Sequence, residues 1–350
     1  MASLRMRMGR VIRSALLLGI IGGAVAANED APLSVLDHWT VGGTGGWDYL
    51  TLDASGQRLF VTRGTRVDVV NTRSGKVIGA IPDTNGVHGV ALAPDLKRGY
   101  TSNGKADTVT AFDLDTLKTI KEAPVSGHNP DAILYDTIGK HVFTFNGRSK
   151  DVSVLDATSL MVVRTIPVPD KPEFAVADGE GQIFLNIESE QGQMVVIDSR
   201  KMTIKATWNL PGCASPSGLA IDKAHHRLFS VCDGKIMAVT DATTGKQVAR
   251  VKIGEGPDAV AFDERRGLVF SSNGEGTVTV VHQESADVYK VRESVSTKRG
   301  ARTMALNSLS GKIFLVTSDF GPAPAATPDQ PHPRPAPIPD TFTILVVGAR

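Results

Sequence analysis

The chain has 350 residues, of which 41% are hydrophobic and 21% charged, with 38 Lys and Arg against 37 Asp and Glu. This length and apolar content exclude a disordered chain and predict a large buried core. Two cysteines are too few for a disulfide-rich scaffold or for a four-thiolate zinc or iron–sulfur site.

The N-terminal segment is typical of a secretory signal peptide. Residues 1–13 carry four arginines and no acid, and a run of small and apolar residues follows from Ala15 to Ala27. A basic region, a short apolar region and small residues before the cleavage site define such peptides. The run is shorter than the roughly 20 residues of a membrane-spanning helix. We predict that residues 1–26 are removed and that residues 27–350 form a single domain, periplasmic or secreted, without a membrane span.

The charge of the predicted mature chain argues against nucleic-acid binding. Removing residues 1–26 leaves 34 basic and 37 acidic residues, a net charge of about −3. Nucleic-acid binders usually carry a basic surplus clustered on one face, and the sequence has no such block.

Seven strand-like segments share an aromatic residue at intervals of 40 to 45 residues. These residues are Phe60, Tyr100, Phe143, Phe184, Phe229, Phe270 and Phe314. A period of about 42 residues with only strand-like content predicts the blades of a propeller.

Each repeat contains four short strands, many of them separated by Asn-Gly or Asp-Gly turns. In the sixth repeat the strands are predicted at 258–263, around Phe270, at 278–281 and at 289–295. The seventh repeat ends at 341–347 without a fourth strand, and a spare strand precedes the first repeat at 33–41. The sequence therefore predicts an all-β, seven-bladed propeller of four-stranded antiparallel blades, closed by the N-terminal strand in blade 7.

The repeats resemble the YVTN-type β-propeller family, in particular its exported bacterial members. The resemblance covers the whole predicted mature chain and is carried by the strand pattern and by residues 45–50, 129–133, 256–260 and 299–304. It implies the propeller fold. It implies no particular activity, because propellers serve as enzymes, binding proteins and scaffolds.

One polar position recurs at the start of each first strand. Around the predicted ring it is Asp48, His88, Asp131, Glu173, Ser217, Asp258 and Arg302, which we call the polar ring. If the first strands are innermost, these side chains surround one mouth of the central channel. Two interpretations stay open: the side chains cap the packing between blades, or they bind a ligand.

Converging carboxylates repel one another unless they are paired, protonated or bound to a cation. Asp48, His88, Asp131, Glu173 and Asp258 are therefore candidate ligands of a divalent cation, for which Ca²⁺ or a similar hard ion is predicted. No other cofactor is predicted. Arg302 and Arg63 are the candidates for neutralising the ring without a metal.

Two arginines near the ends of second strands, Arg63 and Arg148, have no role in forming turns. They are predicted to pair with the carboxylates, to hold an anionic ligand at the mouth, or to be ordinary solvated side chains.

Cys213 and Cys232 both map to the ligand-side face of blade 5 and are predicted to form a disulfide in an oxidising compartment. A catalytic thiol at Cys232 would need a base nearby, but His225 and His226 map to the opposite end of the blade.

Residues 319–340 interrupt blade 7 with eight prolines, which cannot join a strand ladder. This insertion is predicted on the face of the polar ring. It either folds over the mouth, offering His332 and Arg334, or forms a solvated linker.

The sequence has no Gly-x-Ser-x-Gly, phosphate-loop, His-Glu-x-x-His or Cys-x-x-Cys-His motif. We therefore predict a monomeric binding or scaffold protein whose small ligand or exported protein partner meets the polar-ring face, with no catalytic residue assigned. The alternative is a metal-assisted hydrolase, lactonase-like, or lyase.

Overall fold

In a computed structural model, the chain forms seven antiparallel sheets of four strands each. The structure describes residues 1, 31–325, 333 and 335–350, so the predicted signal peptide lies almost entirely outside the described residues. The described part holds one short 3-10 helix, Pro94–Leu96, and 28 strands. The strands are β1 (Leu33–Thr40), β2 (Leu50–Leu52), β3 (Arg58–Thr62), β4 (Val67–Asn71), β5 (Val77–Ile81), β6 (Val87–Ala93), β7 (Arg98–Asn103), β8 (Thr108–Asp113), β9 (Thr119–Pro124), β10 (Pro130–Asp136), β11 (His141–Asn146), β12 (Asp151–Asp156), β13 (Val162–Pro167), β14 (Lys171–Ala177), β15 (Gln182–Glu188), β16 (Gln193–Asp198), β17 (Thr203–Asn209), β18 (Leu219–Asp222), β19 (Arg227–Cys232), β20 (Ile236–Asp241), β21 (Gln247–Lys252), β22 (Pro257–Asp263), β23 (Leu268–Asn273), β24 (Thr277–Ser285), β25 (Val288–Ser296), β26 (Met304–Asn307), β27 (Lys312–Thr317) and β28 (Thr343–Ala349).

The sheets are the blades of a closed seven-bladed β-propeller, as the sequence predicts. Blades 1 to 6 each contain four consecutive strands, from β2–β5 to β22–β25, and blade 7 contains β26, β27, β28 and β1 in spatial order. The first strand of each blade contacts the first strands of both neighbouring blades, which closes the circle. No helix among the described residues is long and apolar enough to cross a membrane.

The N-terminal strand completes blade 7, and this prediction is confirmed. Strand β1 pairs antiparallel with β28, with Leu33 opposite Ala349 and Thr40 opposite Thr343. The backbone N–H of Leu33 also donates to the Glu293 carboxylate of blade 6 at 3.2 Å. The two ends of the described chain therefore meet in one sheet, and closure removes the open edges that a linear array of blades would expose.

The core lies between neighbouring blades. The aromatic residues of all seven repeats are at most 1% exposed, and each is packed by β-branched residues of the middle strands. The apolar cluster around Phe143 and Leu185, for example, joins blades 3 and 4. Because both faces of the middle strands are buried, the blades form a rigid frame that holds the innermost strands in place.

The two ends of the proline-rich insertion run side by side. The N–H of Gly321 donates to the Ala336 carbonyl at 3.0 Å, and the N–H of Ile338 donates to the Asp319 carbonyl at 2.7 Å. Residues 326–332 and 334 lie outside the described residues, and with them His332 and Arg334.

Candidate functional site at the channel mouth

Four residues of the polar ring stand at irregularities in the first strands. The regular pairing of the first and second strands is interrupted around His88, Asp131, Glu173 and Asp258 in blades 2, 3, 4 and 6. A β-bulge leaves a residue outside the ladder and turns its side chain in a new direction. In each of these four blades, a bulge thus directs one polar side chain to the mouth of the channel.

Hydrogen bonds between neighbouring blades fix these positions. The hydroxyl of Ser102 in blade 2 donates to the backbone carbonyl of Asp131 in blade 3. The hydroxyl of Ser272 donates in the same way to the carbonyl of Arg302. Asp131 and Arg302 are therefore held through their backbone, and their side chains remain available for other contacts.

Asp48, His88 and Asp131 of three successive blades form one cluster, which we call the Asp–His–Asp cluster. The Nδ1 atom of His88 lies 2.6 Å from Oδ2 of Asp48 and 3.6 Å from Oδ1 of Asp131. One nitrogen or oxygen from each residue lies within 4.8 Å of the others. Asp131 is only 8% exposed, and its Oδ1 atom has no hydrogen-bond partner among the described residues.

The ionisation of the Asp–His–Asp cluster is shifted by burial and by its own charges. Burial, with the added repulsion of Asp48, raises the pKa of Asp131 to about 6 although His88 opposes the shift. Burial favours the neutral form of His88, but the hydrogen bond to Asp48 and the charge of Asp131 raise the pKa of the imidazole overall.

Gly104 leaves room for the His88 ring. A Cβ atom at Gly104 would lie 2.6 Å from Nε2 of His88 and 2.9 Å from Oδ1 of Asn129, closer than real Cβ atoms come. The glycine therefore lets the ring lie with its Nε2 edge against the turn and its Nδ1 atom toward the two carboxylates.

Glu173 belongs to a second group, centred on Lys171. The Lys171 ammonium lies 2.9 Å from Oε2 of Glu173 and also pairs with Glu188. Tyr49 of blade 1 reaches across to blade 4, where its hydroxyl donates to Oε1 of Glu173 at 3.5 Å. Burial and the charge of Asp131 raise the pKa of Glu173 to about 8, and Lys171 opposes the shift.

The three remaining residues of the polar ring, Asp258, Arg302 and Ser217, form an ion pair or hold neighbouring blades together. Arg302 pairs with Asp258 through Nε at 3.2 Å, and this contact raises the pKa of the guanidinium. The Ser217 hydroxyl donates to the Pro257 carbonyl of the next blade at 3.2 Å, as expected for a residue that caps blade packing. The five candidate cation ligands therefore do not form one set, because only Asp48, His88 and Asp131 come together.

Arg63 and Arg148 are not part of these groups. The Arg63 guanidinium is buried, stacks on the Phe342 ring at 3.7 Å, pairs with Asp68 at 3.5 Å and donates to the Gly42 carbonyl at 3.0 Å. Burial lowers its pKa to about 10. Arg63 thus fastens blade 1 to blade 7, while Arg148 is exposed at the end of blade 3.

Lys171 and Tyr49 are site residues that the sequence analysis did not find. Lys171 lies two positions before Glu173 in β14, but the bulge at Glu173 interrupts the alternation of the strand, so a period of two does not indicate the pair. Tyr49 directly follows Asp48, but no sequence pattern indicates a contact with Glu173, 124 residues away.

A cavity of about 470 Å³ opens beside the ring, between blades 1, 6 and 7 and the ends of the insertion. Trp47, Phe320 and two prolines supply apolar walls, and Asp48, Arg299 and Arg302 supply charge. The rings of Trp47 and Phe320 are 6.1 Å apart. The described ends of the insertion therefore form one wall of a pocket at the mouth.

Cys213 and Cys232 are joined by a disulfide, and both residues are fully buried. Cys213 lies in the connection from β17 to β18, and Cys232 ends β19. The disulfide thus ties this connection to the second strand of blade 5.

Comparison with known proteins adds evidence on the fold. No protein-family model and no curated protein matches the chain. Among solved structures, the chain is similar to Kuenenia stuttgartiensis hydrazine synthase, with a TM-score of 0.69 and 17% identity over 77% of this chain and 92% of that one. The likeness is one of fold. At this identity it carries no function across, and the resemblance to the YVTN-type family stays a prediction.

Proposed function

We propose that the protein is an exported propeller of the YVTN type that binds a small organic anion at its channel mouth. The observation that carries the proposal is the pocket beside the polar ring, whose volume of about 470 Å³ suits a small molecule. Its walls combine two aromatic side chains with two arginines.

The lining indicates the chemistry of the ligand. Trp47 and Phe320 offer flat apolar surfaces, which favour an aromatic or otherwise planar group. Arg299 is exposed, and its side chain has no ion-pair or hydrogen-bond partner among the described residues. A guanidinium in this position favours a carboxylate or a similar anion, because it can donate two parallel hydrogen bonds.

Three aromatic acids test this proposal on the mature chain: benzoate, phenylacetate and indole-3-acetate, each compared with its neutral primary amide. We expect at least one acid to raise the melting temperature and to shift the NMR signals of Trp47, whereas the amides do neither. Arg299→Gln should weaken that binding by about tenfold or more, since a hydrogen bond to a charged group contributes about 1.5–3 kcal/mol.

Arg265→Gln is the matched control, because Arg265 is equally exposed but lies in the turn at the opposite end of blade 6. Binding by none of the acids would contradict the proposal and favour an exported protein partner. Equal binding of acids and amides would contradict the role of Arg299. The alternative of a metal-assisted hydrolase or lyase requires a cation in addition to this pocket and stays a prediction.

A further inference from the structure

Two carboxylates and one imidazole from three successive blades point their polar atoms at a common space. His88 Nδ1 lies 2.6 Å from Asp48 Oδ2 and 3.6 Å from Asp131 Oδ1. We propose that Asp48, His88 and Asp131 bind a first-row transition-metal ion such as Zn²⁺. This inference goes beyond the organic-anion pocket and does not depend on it.

The unpartnered carboxylate is the second observation that indicates a ligand. The Nδ1 atom of an imidazole carries at most one proton, and Asp48 is placed to accept it. Asp131 is 8% exposed, and its Oδ1 atom faces His88 beyond hydrogen-bond distance without another partner in the described part of the chain. A buried carboxylate oxygen without a partner is costly, and a cation between the three residues would satisfy all of them at once.

The other acids of the ring do not compete for the same ion. Glu173 is paired with Lys171 at 2.9 Å, and Asp258 is paired with Arg302 at 3.2 Å. Among the carboxylates of the ring, Asp48 and Asp131 are therefore the two without a Lys or Arg ion pair in the described part of the chain, and they lie on either side of His88.

The donor set selects the class of metal. Ca²⁺ takes six to eight oxygen ligands, whereas the cluster offers one nitrogen and two carboxylates. Imidazole together with carboxylate suits Zn²⁺ and its first-row neighbours, and three protein ligands are typical of zinc sites that keep one position for water or substrate. The sequence favours Ca²⁺ because it counts five ligands. With Glu173 and Asp258 paired elsewhere, the three remaining ligands favour Zn²⁺ or a first-row neighbour instead.

The imidazole is already oriented for this role. The Nε2 edge of His88 occupies the space that a Cβ atom at Gly104 would need, and Nδ1 is turned toward the carboxylates. The inter-blade hydrogen bond from Ser102 fixes the backbone of Asp131 on the other side. Ligands held by a rigid frame lose little conformational freedom when the ion binds.

Calorimetric titration with Zn²⁺ tests the proposal on mature protein that has been stripped with a chelator and dialysed. We expect about one ion per chain. Asp131→Asn and His88→Gln should each weaken binding by more than about tenfold, because even residues that only support a ligand contribute about 10–100-fold to metal affinity.

His128→Gln is the control for the loss of a histidine. His128 pairs with Asp107 at 2.8 Å, as His88 does with Asp48, but is exposed. It should bind Zn²⁺ like the wild type. Absorption of the wild-type protein loaded with Co²⁺ gives a readout that needs no variant, since a four- or five-coordinate site with His and carboxylate ligands produces visible bands much stronger than those of Co²⁺ in water.

Three results would overturn the proposal: no Zn²⁺ binding by the wild type, unchanged binding in a folded Asp131→Asn variant, or an equal loss in His128→Gln. If a ring variant fails to fold, Co²⁺-loaded wild type without visible bands would also overturn it. The aromatic acids are measured separately, on metal-free protein, so either proposal can fail alone.

Discussion

Two carboxylates in adjacent blades, the buried Asp131 and the half-buried Glu173, should make the stability of the protein depend on pH. Burial and the repulsion of Asp48 raise the pKa of Asp131 to about 6, and burial and the repulsion of Asp131 raise that of Glu173 to about 8. Each is above the value expected in an unfolded chain, so the folded state binds protons more readily. The free energy of unfolding should therefore fall as pH rises from about 4.5 to about 8.

Glu173→Gln should reduce this fall. The amide keeps the shape of the side chain and cannot ionise, so the repulsion that Asp131 exerts on a charged Glu173 disappears. Urea unfolding of metal-free wild type and variant at pH 5, 6, 7 and 8 measures the difference, which should favour the variant increasingly toward pH 8.

Glu188→Gln is the control for the pair with Lys171. Glu188 contacts the same ammonium but stands outside the polar ring and is more exposed than Glu173. Its variant should keep most of the wild-type pH dependence. Parallel pH profiles for wild type and Glu173→Gln would show that Glu173 is ionised throughout and that Lys171 outweighs burial.

At the scale of residues, the sequence predicts which side chains lie at the channel mouth better than it predicts which of them contact one another. Alignment of the repeats finds Asp48, His88 and Asp131 because propeller symmetry places equivalent residues at one mouth. It does not find that Glu173 pairs with Lys171 and is therefore not a cation ligand, since this pairing depends on side-chain directions within a bulge. The alignment also leaves open whether Arg63 is solvated. The side chain is buried because it packs against Phe342 where blade 1 meets blade 7.

At the scale of elements, the disulfide secures a connection that has no strand of its own. Residues between β17 and β18 follow the surface of blade 5, and the N–H of Asp233 donates to the Ala214 carbonyl at 2.9 Å beside the Cys213–Cys232 bond. Because the cysteines are 19 positions apart, the cross-link removes a moderate amount of freedom from the unfolded chain.

Replacing both cysteines by alanine should lower the free energy of unfolding by about 3 kcal/mol. Alanine avoids burying an unpaired hydroxyl, which serine would do at these fully buried positions. Urea unfolding measures the change, and reduction of the wild type provides the control, because it should cause a similar loss. An unchanged midpoint in both experiments would mean that the strand ladders hold this connection unaided.

The strand pattern was predictable because its causes are local. In every repeat, short runs of aromatic and β-branched residues are separated by turn residues. Within each run, side chains alternate between the two faces of the blade. The bulges at the polar ring were not predictable, since they arise where an inner strand must both pair with its own blade and meet its neighbour. The pocket wall built by the ends of the insertion depends in the same way on long-range contacts, such as Phe320 against Trp47.

At the scale of the whole molecule, one sheet joins the first and the last strand of the propeller. Strand β1 extends the edge of β28 over the full length of blade 7, and Trp39 packs on Phe314 with 5.7 Å between the ring centres. Beyond this blade, the Arg292 guanidinium of blade 6 donates to the Ala31 carbonyl at 3.0 Å. The ring is closed by these contacts, so they should limit the stability of every blade.

Removal of residues 33–40 from a chain that begins at Ala27 should lower the melting temperature by about 10 °C or more. The deletion takes away a complete strand ladder and the burial of Trp39, a loss of several kcal/mol, and in a protein of this size each kcal/mol corresponds to about 2–4 °C. Calorimetry measures the shift, and size-exclusion chromatography detects the association expected from the newly exposed edge of β28.

A synthetic peptide of residues 31–42, added in excess, should restore much of the lost stability by pairing with β28 in place of β1. Binding to the folded state alone raises the melting temperature in proportion to the logarithm of the peptide concentration. A scrambled peptide of the same composition is the control, because it keeps the apolar content but loses the order that places Leu33 and Val35 in the apolar cluster shared with blade 6 and Trp39 in the cluster shared with blade 1. Rescue by both peptides would indicate nonspecific apolar binding, and an unchanged melting temperature after the deletion would show that the ring closes without its N-terminal strand.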